Sequence, residues 1–225
     1  MTLAAILVAA GQSSRFGGGV SKVLRRCGDL PLIAHAAQAL LAADGLTEVA
    51  VAARPEDCAA IETALAFLRD RGLRLAVVAG GAERQDSVAN ALAVLTPAVT
   101  HVIEHDAARP FPPAALVARV VAALAAHDAV IPVIPVVDTI KEVAGDTVVR
   151  TPVRSALRAV QTPQGFRRTL LAAALAAAQR DRVTGTDDAM LVERLQLPVY
   201  CVAGDPANRK VTTQEDSQWL PHPLT

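Results

Sequence analysis

A short apolar run containing Leu3, Ile6, Leu7 and Val8 leads into Ala9-Ala10-Gly11, and then into a loop that carries Arg15 and Lys22. Three consecutive residues with almost no side chain let backbone N–H groups come close to a ligand, as they do in anion-binding nests. Arg15 and Lys22 add positive charge beside those amides, a combination suited to a triphosphate. A second candidate is Asp106-Ala107-Ala108-Arg109, which follows the run His101–His105. Ligands bind at the carboxyl ends of strands in open α/β sheets. An acid placed there can hold a divalent cation while Arg109 holds an anionic group, because Mg2+ needs only one or two carboxylates when the substrate brings phosphate oxygens. A structural ion pair between Asp106 and Arg109 is the competing reading. The third is Gly80-Gly81-Ala82-Glu83-Arg84-Gln85-Asp86-Ser87. Its glycines free the backbone to bond a planar base edge, and Ser87 brings a hydroxyl that both donates and accepts. Glu83 and Asp86 can alternatively serve only the positive N-terminus of a helix.

Commoner chemistries are excluded by the letters. Gly11 is followed by Gln12, Ser13 and Ser14, so the dinucleotide fingerprint G-x-G-x-x-G is absent from the first loop. Val20 and Ser21 separate Gly19 from Lys22, which rules out the P-loop pattern G-x-x-x-x-G-K-[ST]. His35, His101, His105, His127 and His222 show no pairing suited to a catalytic relay, although His105 can orient the neighbouring Asp106. Cys27, Cys58 and Cys201 are odd in number and lack a C-x-x-C pair, which argues against a disulfide framework or a zinc site and for a reducing compartment.

Lys plus Arg and Asp plus Glu both number 22, so no net field is available to hold a polymeric nucleic acid, and the basic groups must act locally. Aromatic residues make up only 3% of the chain, which leaves few platforms for stacking bases. No apolar run approaches the ~18 residues of a membrane span, and no basic segment precedes an apolar one at the N-terminus. A cytoplasmic protein is expected, with small molecules as its ligands. At 225 residues, 52% of them hydrophobic, the chain can bury a substantial core as one domain over residues 1–225.

The elements that must position these groups follow an alternating pattern. Strands are expected at Leu3–Ala9, Glu48–Ala53, Leu73–Ala79, His101–His105, Ala129–Val133 and Val199–Ala203, and helices after Pro31, Pro55, Arg84 and Pro112. Alternation of this kind indicates an α/β fold on a mainly parallel sheet flanked by helices. The stripe Leu116, Val117, Val120, Val121 and Leu124 marks a helix from Ala114 to His127 that packs on the core. Between Asp138 and Arg150 the pattern changes to two short β-branched runs joined at Gly145-Asp146, a protruding hairpin arm. Its apolar residues need a cover. A second subunit supplies one, and folding back on its own domain is the alternative.

Taken in order, V-A-A-G-x-x-x-R-F…K, G-G-x-x-R-x-x-S-V, H-D-A-A-R-P, D-T-I-K, T-P-Q and N-R-K-V-T span nearly the whole chain. Together they resemble the 2-C-methyl-D-erythritol 4-phosphate cytidylyltransferases of the non-mevalonate isoprenoid pathway. The resemblance implies a Rossmann-like nucleotidyltransferase fold and a magnesium-dependent reaction of CTP with methylerythritol phosphate. It implies that Ala9, Ala10, Gly11, Gly80, Gly81 and Ser87 bind CTP, and that Arg15 and Lys22 are catalytic on the triphosphate. Asp106 becomes the metal- and ribose-side acid. Arg109, Thr139 and the catalytic Lys210 lie around the sugar phosphate. Homodimers with interlocking arms are also implied, with Arg154, Thr162 and Thr186 completing the phosphate pocket from the partner subunit. Two departures stand out: Ser21 replaces the family's usual proline before the loop lysine, and Gly17-Gly18-Gly19 makes the loop unusually rich in glycine. Rivals are a cytidylyltransferase for another polyol phosphate such as ribitol 5-phosphate, a sugar- or molybdopterin-nucleotidyltransferase, and a non-catalytic nucleotide sensor.

Overall fold

The computed structural model of the chain describes residues 1–11, 16 and 21–225. Arg15 and Gly17-Gly18-Gly19 lie outside the described residues. Strand β1 (Leu3–Ala9) is followed by a two-strand ribbon, β2 (Arg26–Cys27) and β3 (Leu30–Pro31), and by α1 (Leu32–Leu40). Next come β4 (Leu46–Ala53), α2 (Cys58–Ala64), α3 (Phe67–Asp70), β5 (Arg74–Ala79), α4 (Arg84–Ala93), β6 (His101–Asp106), α5 (Ala114–Ala123) and β7 (Ala129–Pro135). A separate hairpin, β8 (Glu142–Ala144) and β9 (Thr147–Arg150), precedes β10 (Arg158–Val160), β11 (Gln164–Arg167), α6 (Arg168–Asp181), α7 (Asp188–Arg194) and β12 (Tyr200–Ala203).

The main sheet runs β10-β7-β11-β6-β1-β4-β5, with β12 also on β7. β6, β1, β4 and β5 are parallel to one another, and β12 is parallel to β7. β11 lies antiparallel between β6 and β7, and β10 is antiparallel to β7. The strand period of two divides β1 between two cores. Leu3, Ala5, Leu7 and Ala9 join Val49, Val51 and Ala53 under α1 and α5, while Ala4 and Ile6 join Ala50 and Ala52 under α4, α6 and α7. Burial on both faces is why these strands read as unbroken apolar runs.

Two departures from the expected elements have physical causes. α5 stops at Ala123 instead of His127, because Ala125 and Ala126 bond only three residues back and tighten the last turn. Leu124 still reaches the core from that turn, so the apolar period runs on past the helix. Two antiparallel strands, β10 and β11, were not expected: Gln164-Gly165-Phe166-Arg167 carries little strand character of its own and is held by neighbours on both sides. The hairpin turns at Gly145, whose φ of 57° is left-handed and suits glycine.

Candidate active site

The carboxyl ends of β1, β5 and β6 open onto one cleft of about 440 Å³. Its walls include Ala9, Ala10, Gly11, Lys22, Gly81, Arg84, Ser87, Asp106 and Lys210. A larger hollow of about 620 Å³ lies between α4 and α6. Arg168 at its wall donates to the backbone carbonyls of Leu95, Thr96 and Val99, whereas Lys22, Arg84, Asp106 and Lys210 gather in the cleft.

On the β5–α4 side the glycines are dictated by close approach. A Cβ on Gly80 would stand 2.4 Å from the Ala10 Cβ, and one on Gly81 would stand 2.2 Å from the Asp86 Cβ. Added at Gly11, by contrast, a Cβ would meet nothing within 4 Å among the described residues. Glu83 and Asp86 form a reciprocal capping box at the start of α4, which satisfies N–H groups that the helix cannot. Ser87 is 1% exposed; its hydroxyl accepts from the Gly81 N–H and donates to the Glu83 carbonyl. One acceptor position of that oxygen remains.

Asp106 ends β6, and its carboxylate is the hub of the cleft's charges. Lys210 Nζ lies 2.7 Å from Oδ2, Arg109 Nε 3.8 Å from the same oxygen, and an Arg84 nitrogen 3.8 Å from Oδ1. Burial alone would raise this acid, but Lys210, Arg84 and Arg109 outweigh burial and hold it at about 2. Arg84 is gripped from behind by two fully buried carboxylates, Glu104 at 2.6 Å and Asp188 at 2.8 Å. Burial would make its guanidinium a weaker base; the three surrounding acids reverse that and raise it. Burial pushes Glu104 up to about 8 and Asp188 upward too, each aided by repulsion from nearby acids and opposed by Arg84.

The segment Asn208-Arg209-Lys210-Val211 ties these parts together. The buried Asn208 side chain donates to the Thr162 carbonyl, and the Asn208 backbone carbonyl accepts from Arg109 at 2.7 Å. Val211 N–H bonds the Ala108 carbonyl, and the Val211 carbonyl accepts from Lys22 Nζ at 2.8 Å. Lys22 and Lys210 therefore meet on one stretch of backbone, from opposite ends of the sequence. Beneath them, Thr162 is 5% exposed and its oxygen accepts from the Asp106 N–H. It was expected at a partner's pocket, yet its hydroxyl is used inside its own subunit.

Residues 3–219 match the family described as IspD: 2-C-methyl-D-erythritol 4-phosphate cytidylyltransferase. The chain belongs to that family. A curated IspD-family enzyme of this name from Frankia casuarinae is 47% identical over 95% of this chain and 78% of its own length. The crystal structure of the enzyme of that name from Thermus thermophilus is 36% identical, with a TM-score of 0.76 over 96% of this chain and 95% of that one. The 4-diphosphocytidyl-2C-methyl-D-erythritol synthase from Anaerococcus prevotii, 27% identical, superposes with a TM-score of 0.84 over 97% and 96%.

Within this IspD-family fold the other expected site residues sit apart from the cleft wall. Thr139 is exposed just ahead of β8. Arg154, also exposed, donates to the Val137 carbonyl at the base of the arm, and Thr186 is exposed ahead of α7. Arg109 is largely buried, with its guanidinium on Asn208. Arg84, Glu104 and Asp188 were not anticipated as site residues. A carboxylate such as Glu104 in a strand buried on both faces requires a cationic partner, and that was the available signal.

Proposed function

We propose that the cleft binds CTP and transfers its cytidylyl group to 2-C-methyl-D-erythritol 4-phosphate, giving 4-diphosphocytidyl-2-C-methyl-D-erythritol and pyrophosphate. Membership of the IspD family supports the reaction. The observation that carries the placement is the meeting of Lys22, Lys210 and Asp106 at the strand ends.

Ala9, Ala10, Gly11, Gly80, Gly81 and Ser87 bind the nucleotide. The nucleophile is a phosphate monoester oxygen of the second substrate, largely dianionic at neutral pH because its second pKa is about 6. It forms a bond to the α-phosphorus as the bond to the bridging oxygen breaks and pyrophosphate leaves. No general base is needed, and no histidine lines the cleft among the described residues. The obstacle is the approach of two anions. Arg15, Lys22 and Lys210 lower it by neutralising the phosphates and by stabilising charge as it moves onto the leaving group. Arg109 and Thr139 hold the sugar phosphate.

Among the described residues no group of three or more His, Cys, Asp or Glu could by itself hold a metal. Asp106 nonetheless fits Mg2+, because it is ionised, faces the cleft and leaves most of the coordination shell to phosphate oxygens. When bound, that ion would neutralise phosphate charge.

Residues 1–225 form one nucleotidyltransferase domain, with 138–150 as a dimerisation arm in a cytoplasmic homodimer. The exposed valines of the arm and the outward positions of Arg154 and Thr186 support this reading, in which both residues serve the partner's phosphate pocket. Among the described residues no helix is long and apolar enough to cross a membrane. The reaction is tested by incubating the purified protein with CTP, magnesium and either methylerythritol phosphate or ribitol phosphate. Pyrophosphate release with the first alone is expected; release only with the second would overturn the substrate assignment.

A further inference from the structure

His105 is fully buried at the end of β6, and its two ring nitrogens reach the Arg109 carbonyl on one side and the Thr162 hydroxyl on the other. Nε2 lies 2.9 Å from the Arg109 carbonyl, which can only accept, so Nε2 carries a proton. Nδ1 lies 3.0 Å from Thr162 Oγ1, and that oxygen already accepts from the Asp106 N–H at 3.1 Å. With Nε2 protonated in the neutral ring, Nδ1 is bare and takes the hydroxyl proton. The chain of donors then has one direction: Asp106 N–H to Thr162, Thr162 O–H to His105, His105 Nε2–H to the Arg109 carbonyl.

We propose that His105 is a positioning residue which, through the Thr162 hydroxyl and the Arg109 carbonyl, fixes both ends of the Asp106–Arg109 turn at the cleft. It does not touch the Asp106 carboxylate, so it acts on where that side chain starts, not on its charge. Its main chain is otherwise tied by single backbone bonds, Ala107 to Val8, Ala108 to Val211 and Arg109 to Asp106, while Lys210 and the Asn208 carbonyl hold the outer ends of the Asp106 and Arg109 side chains. A leucine would fill the same space but leave the Thr162 hydroxyl without its acceptor and the Arg109 carbonyl without its donor. This inference rests on the proposed roles of Asp106 and Arg109, and displacement of catalytic groups by about 1 Å can cost ~100-fold in rate.

Two variants separate the ends. His105→Asn keeps an acceptor for Thr162 but cannot reach the Arg109 carbonyl, so the KM for methylerythritol phosphate should rise about tenfold while that for CTP stays within about twofold. His105→Gln can reach Arg109 but leaves Thr162 unmatched, so kcat should fall about tenfold and the magnesium requirement should rise. Independently of activity, nitrogen NMR of the full chain should show His105 protonated on Nε2 and bare at Nδ1, with the Nδ1 resonance shifted by Thr162→Val. A protonated Nδ1 would overturn the proposal whether or not the variants fold. So would folded variants that change every kinetic parameter alike, or none. Absent turnover in the unaltered protein would instead count against the proposed reaction.

Discussion

The Asp106 turn and the β8–β9 arm treat their exposed chemistry in opposite ways. Around Asp106, residues from β1, β6, Thr162 and Asn208–Val211 bond one another within one chain, with Arg109 Nε and Asn208 Oδ1 left as buried atoms that find no hydrogen-bond partner among the described residues. In the arm every residue of both strands is exposed, and Val143, Val148 and Val149 are each more than half open to solvent. Its side-chain bonds are Glu142 to Arg150 and Lys141 to Thr151 at the hairpin's own ends. Charged groups held by bonds within the chain mark a preorganised site, whereas unburied β-branched surface marks a segment that becomes useful only when covered.

The sharpest break in that contrast comes from Asp106→Asn, which keeps the shape of the hub and removes its charge. A fall in kcat of about 100-fold or more is expected, measured as steady-state pyrophosphate release at saturating magnesium. Activity within a few-fold of normal would show that the charge is not used. The arm is tested next by Val148→Asp combined with Val149→Asp. The melting temperature should fall and lose its dependence on protein concentration as the dimer is lost, sedimentation should report monomers, and turnover should drop about tenfold or more at dilute concentrations. A dimer that persists with normal turnover would mean that the arm is not the interface.

A smaller effect concerns the stability of the packed half against pH. Glu104 rises from an ordinary 4.5 to about 8 in the fold, so its contribution is complete below 4.5 and lost as pH climbs through 8. His105 falls from 6.5 to about 4, chiefly by burial, so its contribution is complete above 6.5 and lost as pH falls through 4. Between 4.5 and 6.5 the two oppose each other. Above 6.5 the His105 contribution no longer changes, and Glu104, with Asp188 shifted in the same direction, should make the melting temperature decline from pH 6.5 to 8. Glu104→Gln should flatten that decline, and an unchanged slope would remove Glu104 as its source.

The same contrast explains what could be read from the letters. β1 shows its buried position directly, since Leu3–Ala9 contributes to a core on both faces and is apolar throughout. The arm was legible for the opposite reason, as two β-branched runs about a Gly-Asp turn. β11 was not, because its residues become a strand only between β6 and β7. At the site, Lys22, Asp106 and Lys210 stood in recognisable motifs and do line one cleft. His105 was expected to orient Asp106 and reaches its backbone through Thr162, a contact that depends on bringing residues 57 apart together. Arg84 with Glu104 and Asp188 was hidden for a similar reason: residues scattered over the sequence give no sign that three acids share one guanidinium.

The central claim is that cations gathered at the strand ends act as charge moves onto pyrophosphate. Lys22→Ala tests it most directly, with single-turnover rate and CTP affinity measured on the same preparation. The expected result is a rate at least about 100-fold lower with CTP affinity changed by less than about fivefold. A normal rate with weakened CTP binding would contradict the claim and leave Lys22 as a simple ligand for the nucleotide.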